Sequence, residues 1–449
     1  MRVAIRFALA GFAVLLAREA HAQDSNPLYA VKANRWADAQ AAAARFADPV
    51  AEKLVLYLRL RAPGAATPAE IAAFMERNPD WPAQSNLELR RQEAIATDPD
   101  DASVLAQCKP VPSLASAMVR CAEAIANAGR TAEATALARQ TWVNAIDTVA
   151  AETTFLHRWG GIATADDQWA RFRRLAWLSD SGAASRQITH LDGMHHAAAE
   201  ARLAAKRDDP RTEALVAALP PTFQADPGLT LDRARAMRHA DHAEAAAALF
   251  SQAAAGTENL AAFWTERSLL ARKLLHDGDP KMAYTIAAAH GQTADEPRAD
   301  AEFLAGFIAL RSLRDPARAE KHFRTLAGSH AIISQARAHY WLARTAAAAG
   351  TDARPEYERA AAWPTTFYGQ LATMALGENP ADRIRKLRDP GWIKDTALAF
   401  TEHEVVRAAA WLVAWGDPQR ARTFLTRMDE LAPIPAERAL TAAFARYVG

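Results

Sequence analysis

Apolar side chains recur at steps of three and four residues through most of this sequence, in which alanine is the dominant residue. One such series is Leu114, Met118, Cys121 and Ile125. This spacing brings the apolar side chains to one face of an α-helix. Alternating runs of Val, Ile or Thr bounded by turn residues, which are typical of strands, do not recur. The sequence therefore predicts an all-α fold.

The breaks between the predicted helices repeat one pattern, in which aspartate is followed by proline. The repeats are Asp279-Pro280, Asp315-Pro316 and Asp417-Pro418. Aspartate can accept hydrogen bonds from the free amides of a new first turn, and proline fits that turn because its missing amide would have no partner. The first two prolines are 36 residues apart (316 minus 280), close to the ~34-residue period of tetratricopeptide hairpins. Such hairpins stack into a superhelix with a concave face. We therefore expect a right-handed α-superhelix, an α-solenoid of ring or horseshoe shape.

The N-terminus has the composition of a secretory signal peptide. Arg2 and Arg6 supply charge, an apolar run extends from Phe7 to Leu16, and the small-residue site is Ala20-His21-Ala22. The apolar run of about 10 residues is shorter than the ~20 that cross a bilayer. We predict a signal peptide at 1–22, a periplasmic mature protein without a membrane span, an N-terminal superhelical segment at 23–220 and a C-terminal one at 221–449.

Composition excludes some classes of partner and cofactor. The 53 basic and 52 acidic side chains give a net charge of +1, so no basic footprint for nucleic acid is expected. Cys108 and Cys121 are the two cysteines. In an oxidising compartment they could form a disulfide or remain free, and the sequence leaves both alternatives open. Two thiols do not complete a tetrahedral metal site, and no cofactor is implied.

Several motifs follow one another in a fixed order from Asp226 onward. They are Asp226-Pro227-Gly228-Leu229, Phe263-Trp264-Thr265-Glu266-Arg267, Glu302-Phe303-Leu304-Ala305-Gly306-Phe307, Ala338-His339-Tyr340-Trp341-Leu342-Ala343-Arg344 and Trp363-Pro364-Thr365-Thr366-Phe367-Tyr368-Gly369-Gln370. In this series the chain resembles the soluble lytic transglycosylase family. Looser matches, such as Trp36 with Ala39 and Asn78-Pro79-Asp80-Trp81-Pro82, extend the resemblance over nearly all of the chain after the signal.

The resemblance implies a ring-shaped superhelix that a lysozyme-like catalytic domain follows. In that family one glutamate of a Glu-Ser motif protonates the glycosidic oxygen between N-acetylmuramic acid and N-acetylglucosamine. It then deprotonates the 6-hydroxyl of the sugar, which closes a 1,6-anhydro ring. This sequence contains neither a Glu-Ser pair nor the Gly-Leu-Met-Gln motif that follows it in the family. We therefore expect the chain to end before the catalytic domain and to contain no catalytic residue.

Other carboxylates and histidines have simpler interpretations than catalysis. Candidate general acids are Glu266, Glu302, Glu402 and Glu404. Glu266 and Glu302 lie inside predicted helices, where pairing with neighbouring hairpins is the simpler role. Glu402-His403-Glu404 could suggest a metal site, but adjacent helical residues point about 100° apart, so a surface cap is the simpler interpretation. The group His190, His195 and His196 lacks the i, i+4 spacing with a third ligand that zinc enzymes use. We expect a loop or a helix start with solvated histidines.

Aromatic residues are the remaining candidates for a site, because indole and phenol rings stack on sugars. The residues that could contact glycan are Tyr340, Trp341, Arg344, Tyr368 and Gln370. Packing between hairpins is the simpler role of the aromatic rings among them.

The leading hypothesis is thus a non-catalytic superhelical region of a periplasmic soluble lytic transglycosylase. It would bind peptidoglycan glycan strands, and proteins of cell-wall synthesis or division are a further class of partner. The alternative from another class is a free-standing helical-repeat scaffold that binds proteins of the cell envelope. An enzyme that uses carboxylates within this chain is a third hypothesis.

Overall fold

The computed structural model describes residues 26–178, 181–252, 258–388 and 390–448. In these residues it contains 28 α-helices and no β-strand, which confirms the all-α class. The predicted signal peptide at 1–22 lies outside the described residues. None of the helices in the described ranges is both long and apolar enough to cross a bilayer.

The helices form two compact units. Unit 1 contains the described residues up to Ile162 and those from Arg388 onward, and unit 2 contains the described residues of Ala163–Leu387. The chain therefore leaves unit 1, builds unit 2 and returns to unit 1. The predicted division at residues 220 and 221 lies inside unit 2, and the predicted ring or horseshoe shape remains a prediction.

Unit 1 is built from both ends of the chain. Its helices are α1 (Pro27–Lys32), α2 (Trp36–Ala44), α3 (Pro49–Leu60), α4 (Pro68–Arg77), α5 (Gln84–Thr97), α6 (Asp101–Gln107), α7 (Ala115–Asn127), α8 (Thr131–Asn144), α9 (Val149–Trp159), α25 (Lys394–Glu402), α26 (Glu404–Ala414), α27 (Pro418–Leu431) and α28 (Pro435–Val448). Helices α3 and α26 pack against each other. Phe424 of α27 contacts the rings of Tyr57 and Trp81, at centroid distances of 5.6 and 5.7 Å. One hydrophobic core thus joins the first and last helices.

Unit 2 is a succession of helices, and from α15 to α24 each helix packs against the next. They are α10 (Ala165–Ala176), α11 (Gly182–Gln187), α12 (Gly193–Lys206), α13 (Thr212–Ala217), α14 (Pro221–Gln224), α15 (Pro227–His239), α16 (Ala243–Gln252), α17 (Leu260–His276), α18 (Pro280–Ala288), α19 (Asp295–Arg311), α20 (Pro316–Ala327), α21 (Ile332–Ala348), α22 (Arg354–Ala361), α23 (Phe367–Ala375) and α24 (Pro380–Lys386). From α17 to α23 many helices also contact the next but one. This is the packing of stacked hairpins.

The predicted helix restarts are confirmed at all three aspartate-proline sites. Asp279 accepts a hydrogen bond from the amide of Met282, and Asp315 and Asp417 cap α20 and α27 in the same way at 3.0 Å. Proline occupies the first turn in each helix. The caps fix where α18, α20 and α27 begin, and so set the register of these hairpins.

Close packing depends on glycine at two points in unit 2. A Cβ atom on Gly306 would lie 2.6 Å from the ring of Phe323, and one on Gly369 would lie 2.0 Å from the carbonyl oxygen of Trp363. Both distances are far below van der Waals contact. Gly306 therefore lets α19 pack closely against α20, and Gly369 lets the start of α23 lie against the turn that precedes it.

Cys108 and Cys121 are joined by a disulfide bond, with 5.9 Å between their Cα atoms. The bond ties the residue that follows α6 to the middle of α7. Both half-cystines are buried.

Candidate functional site

Four aromatic rings and one arginine meet on three successive helices of unit 2. We call Tyr340, Trp341, Arg344, Tyr357 and Tyr368 the aromatic-arginine cluster. The ring of Tyr340 on α21 lies 5.4 Å from that of Tyr368 on α23 and 5.8 Å from that of Tyr357 on α22. The structure thus assembles four of the five predicted glycan-contact residues. It adds Tyr357, which the sequence interpretation missed.

Arg344 lies one helical turn after Tyr340 and therefore on the same face of α21. Its Nη1 donates a hydrogen bond of 3.1 Å to the Tyr340 hydroxyl. Its guanidinium carbon is 5.9 Å from the ring centroids of both Tyr340 and Trp341, which is within the range of cation–π attraction. Burial raises the pKa of Tyr357 more than the positive charge of Arg344 lowers it, so this phenol stays neutral at physiological pH.

Much of the cluster is core rather than surface. Tyr340 and Trp341 are each 9% exposed, and the indole ring of Trp341 packs against Phe307 and Phe323 at 5.2 and 5.9 Å. Among the described residues its indole nitrogen has no hydrogen-bond partner. Packing is therefore the main role of Trp341.

The accessible edge of the cluster lies at the start of α23. Tyr368 and Arg344 are half-buried. Phe367 is 67% exposed, and its ring meets the Tyr368 ring edge-on at 5.1 Å. The side chain of Gln370, the fifth predicted residue, is half-buried and makes no hydrogen bond to the cluster in the described structure. A ligand at this edge would contact Tyr368, Arg344 and Phe367.

Glu302, one of the four predicted general-acid candidates, lies between two histidines. Its carboxylate is 3.3 Å from Nε2 of His290 and 2.6 Å from Nδ1 of His322. Nδ1 of His290 accepts the amide N–H of Gln292, which leaves Nε2 as the protonated nitrogen that donates to Glu302. On the other side, Nε2 of His322 lies 3.0 Å from the Tyr284 hydroxyl. The group links α18, α19 and α20.

The pKa of Glu302 argues against a general acid at neutral pH. Burial alone would raise the pKa, but the hydrogen bonds from His290 and His322 outweigh it and hold the pKa at about 2. A general acid needs a proton at its working pH. Glu302 is therefore ionised and holds neighbouring helices together. This agrees with the structural pairing that the sequence analysis favours for it.

The other three candidate carboxylates also contact cations. Glu266 is buried and paired with Arg238 on α15. Glu404 binds Lys53 at 2.7 Å and accepts the indole N–H of Trp81 at 3.2 Å. Burial tends to raise the pKa of Glu404, but Lys53 and Trp81 together lower it. Glu402 lies 4.0 Å from Arg407.

The predicted histidine group lies at and before the start of α12. His195 lies 2.8 Å from Asp192, the N-cap residue of that helix, and its ring is 4.9 Å from that of Trp169. His196 is 3.8 Å from Glu200. Within the described ranges, no group of three or more His, Cys, Asp or Glu side chains is arranged to hold a metal ion.

An open groove in unit 1 was not predicted from the sequence. It has a volume of about 710 Å³ and lies between α2, α3 and α4. Trp36, Glu52 and Arg77 are among the residues that line it. The sequence signal for this groove was the spacing of Glu52, Leu56 and Arg59, which places them on one face of α3. That spacing does not show which helices lie opposite, so the groove could not be predicted from it.

These features define an all-α protein of stacked helical hairpins. No protein-family model matches the sequence, and no curated protein matches it. Solved structures do match. The chain is similar to an inactive mutant of the lytic transglycosylase Slt from Pseudomonas aeruginosa, with 18% identity and a TM-score of 0.60 over 91% of this chain and 68% of that one.

The chain is also similar to the 70-kDa soluble lytic transglycosylase of Escherichia coli. The identity is 16% and the TM-score 0.54, over 96% of this chain and 68% of that chain. The same values hold for a complex of the 70-kDa soluble lytic transglycosylase with bulgecin A. At these identities the similarity concerns the fold. It confirms, for the fold, the resemblance to soluble lytic transglycosylases that the sequence motifs indicate.

Proposed function

We propose that this chain is a peptidoglycan-binding helical region of the soluble lytic transglycosylase type. It holds or positions murein strands in the periplasm and does not cleave them. The observation that carries this proposal is the fold similarity, which extends over 91% and 96% of the chain in two lytic transglycosylases.

The charged groups support a role without bond cleavage. Of the four carboxylates that the sequence singles out, Glu302 and Glu404 have lowered pKa values, and Glu266 is buried against Arg238. A carboxylate that donates a proton to a glycosidic oxygen at neutral pH needs a raised pKa. These three groups are instead suited to holding helices together.

The accessible edge of the aromatic-arginine cluster is our candidate for glycan contact. Tyr368 and Phe367 offer ring faces to a pyranose, and Arg344 offers donors to hydroxyl or carboxylate oxygens. Because Tyr340 and Trp341 are buried beneath them, the edge is held in place by the core. Gln370 stays a proposed contact on the same helix.

Binding to whole sacculi tests this function. The purified chain is mixed with intact sacculi, which are pelleted, and the supernatant is analysed by mass spectrometry for 1,6-anhydromuropeptides. We expect the chain to pellet with sacculi and to release no such product. Release would contradict the non-catalytic role, and failure to pellet would contradict peptidoglycan binding and favour the protein scaffold.

The variant Arg344→Ala tests the cluster in the same assay. Its matched control is Arg354→Ala, which removes an exposed arginine that pairs with Glu358 within α22. We expect Arg344→Ala to pellet less with sacculi than the original chain, and Arg354→Ala to pellet like the original chain. Equal pelleting of both variants would exclude the cluster as the contact.

A further inference from the structure

The groove in unit 1 has an apolar floor and a polar rim. Val55 and Phe74 form part of the floor and are almost fully buried, while Trp36 is half-buried at one side. Among the described residues the indole N–H of Trp36 has no hydrogen-bond partner. The volume of about 710 Å³ falls within the ~300–1,000 Å³ of small-ligand sites. The groove can therefore take a ligand of a few residues.

Two of the three cations at the rim are already neutralised by the protein. Nζ of Lys53 lies 2.7 Å from the carboxylate of Glu404, and Nη2 of Arg59 lies 2.6 Å from that of Glu70. Neither cation needs a further charged partner.

The remaining charges at the rim are one acid and one base. Arg77 uses Nε to donate to the carbonyl oxygen of Ala73, and among the described residues its terminal nitrogens have no partner. The carboxylate of Glu52 also has no hydrogen-bond or ion-pair partner among the described residues. Arg77 ends α4 and Glu52 lies in the first turn of α3, so they belong to different helices of the groove.

We propose that this groove binds a short zwitterionic peptide, with Arg77 binding a carboxylate and Glu52 an ammonium group of the ligand. A planar guanidinium can bind both oxygens of a carboxylate, and the floor accepts small apolar side chains such as alanine methyl groups. This inference rests on the proposed function, which supplies the ligand. The occupant of the groove is then the stem peptide of peptidoglycan. It carries free carboxylates, a diamino acid and alanine.

Calorimetric titration of the full chain tests the inference. The probe is the synthetic tetrapeptide L-alanyl-γ-D-glutamyl-meso-diaminopimelyl-D-alanine, and the comparator is a tetramer of N-acetylglucosamine without peptide. The groove variants are Arg77→Gln and Glu52→Gln. The controls Arg45→Gln and Glu76→Gln change net charge equally at exposed residues that do not line the groove.

We expect the tetrapeptide to bind and each groove variant to raise its Kd about fivefold, the effect of an exposed charge pair of ~1 kcal/mol. Acetylation of the amine on the diaminopimelate side chain should remove the effect of Glu52→Gln and keep that of Arg77→Gln. The control variants should bind like the original chain. Circular dichroism melts confirm that all four variants fold.

Three results would overturn the inference: no binding of the tetrapeptide, equal losses in groove and control variants, or binding of the N-acetylglucosamine tetramer alone. If sacculi still pellet the chain in any of these cases, the groove inference fails and the proposed function stands. If sacculi do not pellet the chain, the proposed function fails as well.

Discussion

Trp411 donates its indole N–H to the carboxylate of Asp48 at 2.7 Å, although the two residues are 363 positions apart. The second carboxylate oxygen accepts a hydrogen bond of 2.7 Å from Arg407 and another of 2.8 Å from the amide of Val50. Asp48 therefore starts α3 and also holds α26 against it. One buried side chain joins the two chain segments that form unit 1.

Replacing Asp48 by alanine should lower the free energy of unfolding of unit 1 by about 3 kcal/mol. The change removes a helix cap, worth ~1 kcal/mol, and leaves the buried indole N–H of Trp411 without an acceptor, which costs a further ~1–3 kcal/mol. Urea unfolding followed by circular dichroism measures the change. Asp38→Ala is the control, because Asp38 is exposed and, within the described ranges, pairs with Arg35 alone. Equal destabilisation by the two variants would contradict the assigned role.

Glu302 should make the stability of unit 2 depend on pH in the acid range. Its pKa is lowered from 4.5 to about 2 in the folded chain, so between these values the unfolded state binds more protons. The stabilisation is then fully present above about pH 4.5 and is lost as pH falls through about 2. Allowing for solvent screening, we expect Glu302→Gln to cost about 1–2 kcal/mol at neutral pH.

Thermal melts of the original chain and of Glu302→Gln between pH 2 and 7 measure this effect. The difference in Tm should narrow below about pH 4.5. Glu296→Gln serves as control, because Glu296 is exposed in the first turn of the same helix. A difference that is constant across this range would show that the carboxylate is not stabilised by His290 and His322.

The features that the sequence predicts correctly are those determined within one helical turn. The apolar spacing and the capping aspartates Asp279, Asp315 and Asp417 act on their own helices, so no knowledge of neighbours is needed. The contact between Asp48 and Trp411 depends on which distant helices meet, and nothing local encodes that choice. The same reason explains why the groove with Glu52 and Arg77 was missed.

The candidate cluster was predicted in part, because four of its residues lie in two short motifs. Tyr340, Trp341 and Arg344 are within one turn of each other, and Tyr368 follows on α23. Tyr357 comes from the helix between them, which has no aromatic motif of its own. Gln370 was selected by its closeness in sequence to Tyr368, but in the described structure its side chain makes no hydrogen bond to the cluster.

Removing the disulfide should destabilise unit 1. Cys108 and Cys121 are 13 positions apart, and opening a loop of this length restores chain entropy to the unfolded state, worth about 3 kcal/mol. We expect dithiothreitol to lower the Tm of the original chain and to leave that of the double variant Cys108→Ala, Cys121→Ala unchanged. An equal effect of the reductant on both proteins would point to another cause.

Gly369→Ala should destabilise unit 2 and displace Tyr368. The added Cβ would lie 2.0 Å from the carbonyl oxygen and 2.7 Å from the carbonyl carbon of Trp363. Since both are backbone atoms, no side chain can rotate away, and the turn before α23 must move. We expect a loss of about 2–3 kcal/mol in urea unfolding.

The same shift would carry Tyr368 away from Tyr340 and weaken the accessible edge of the cluster. Gly193→Ala is the matched control, because a Cβ there meets no atom within 4 Å. If the aromatic-arginine cluster contacts glycan, Gly369→Ala should pellet less with sacculi than Gly193→Ala, at a temperature where both variants remain folded. A variant that is destabilised yet pellets like the control would show that α23 supports the fold of unit 2 and takes no part in binding.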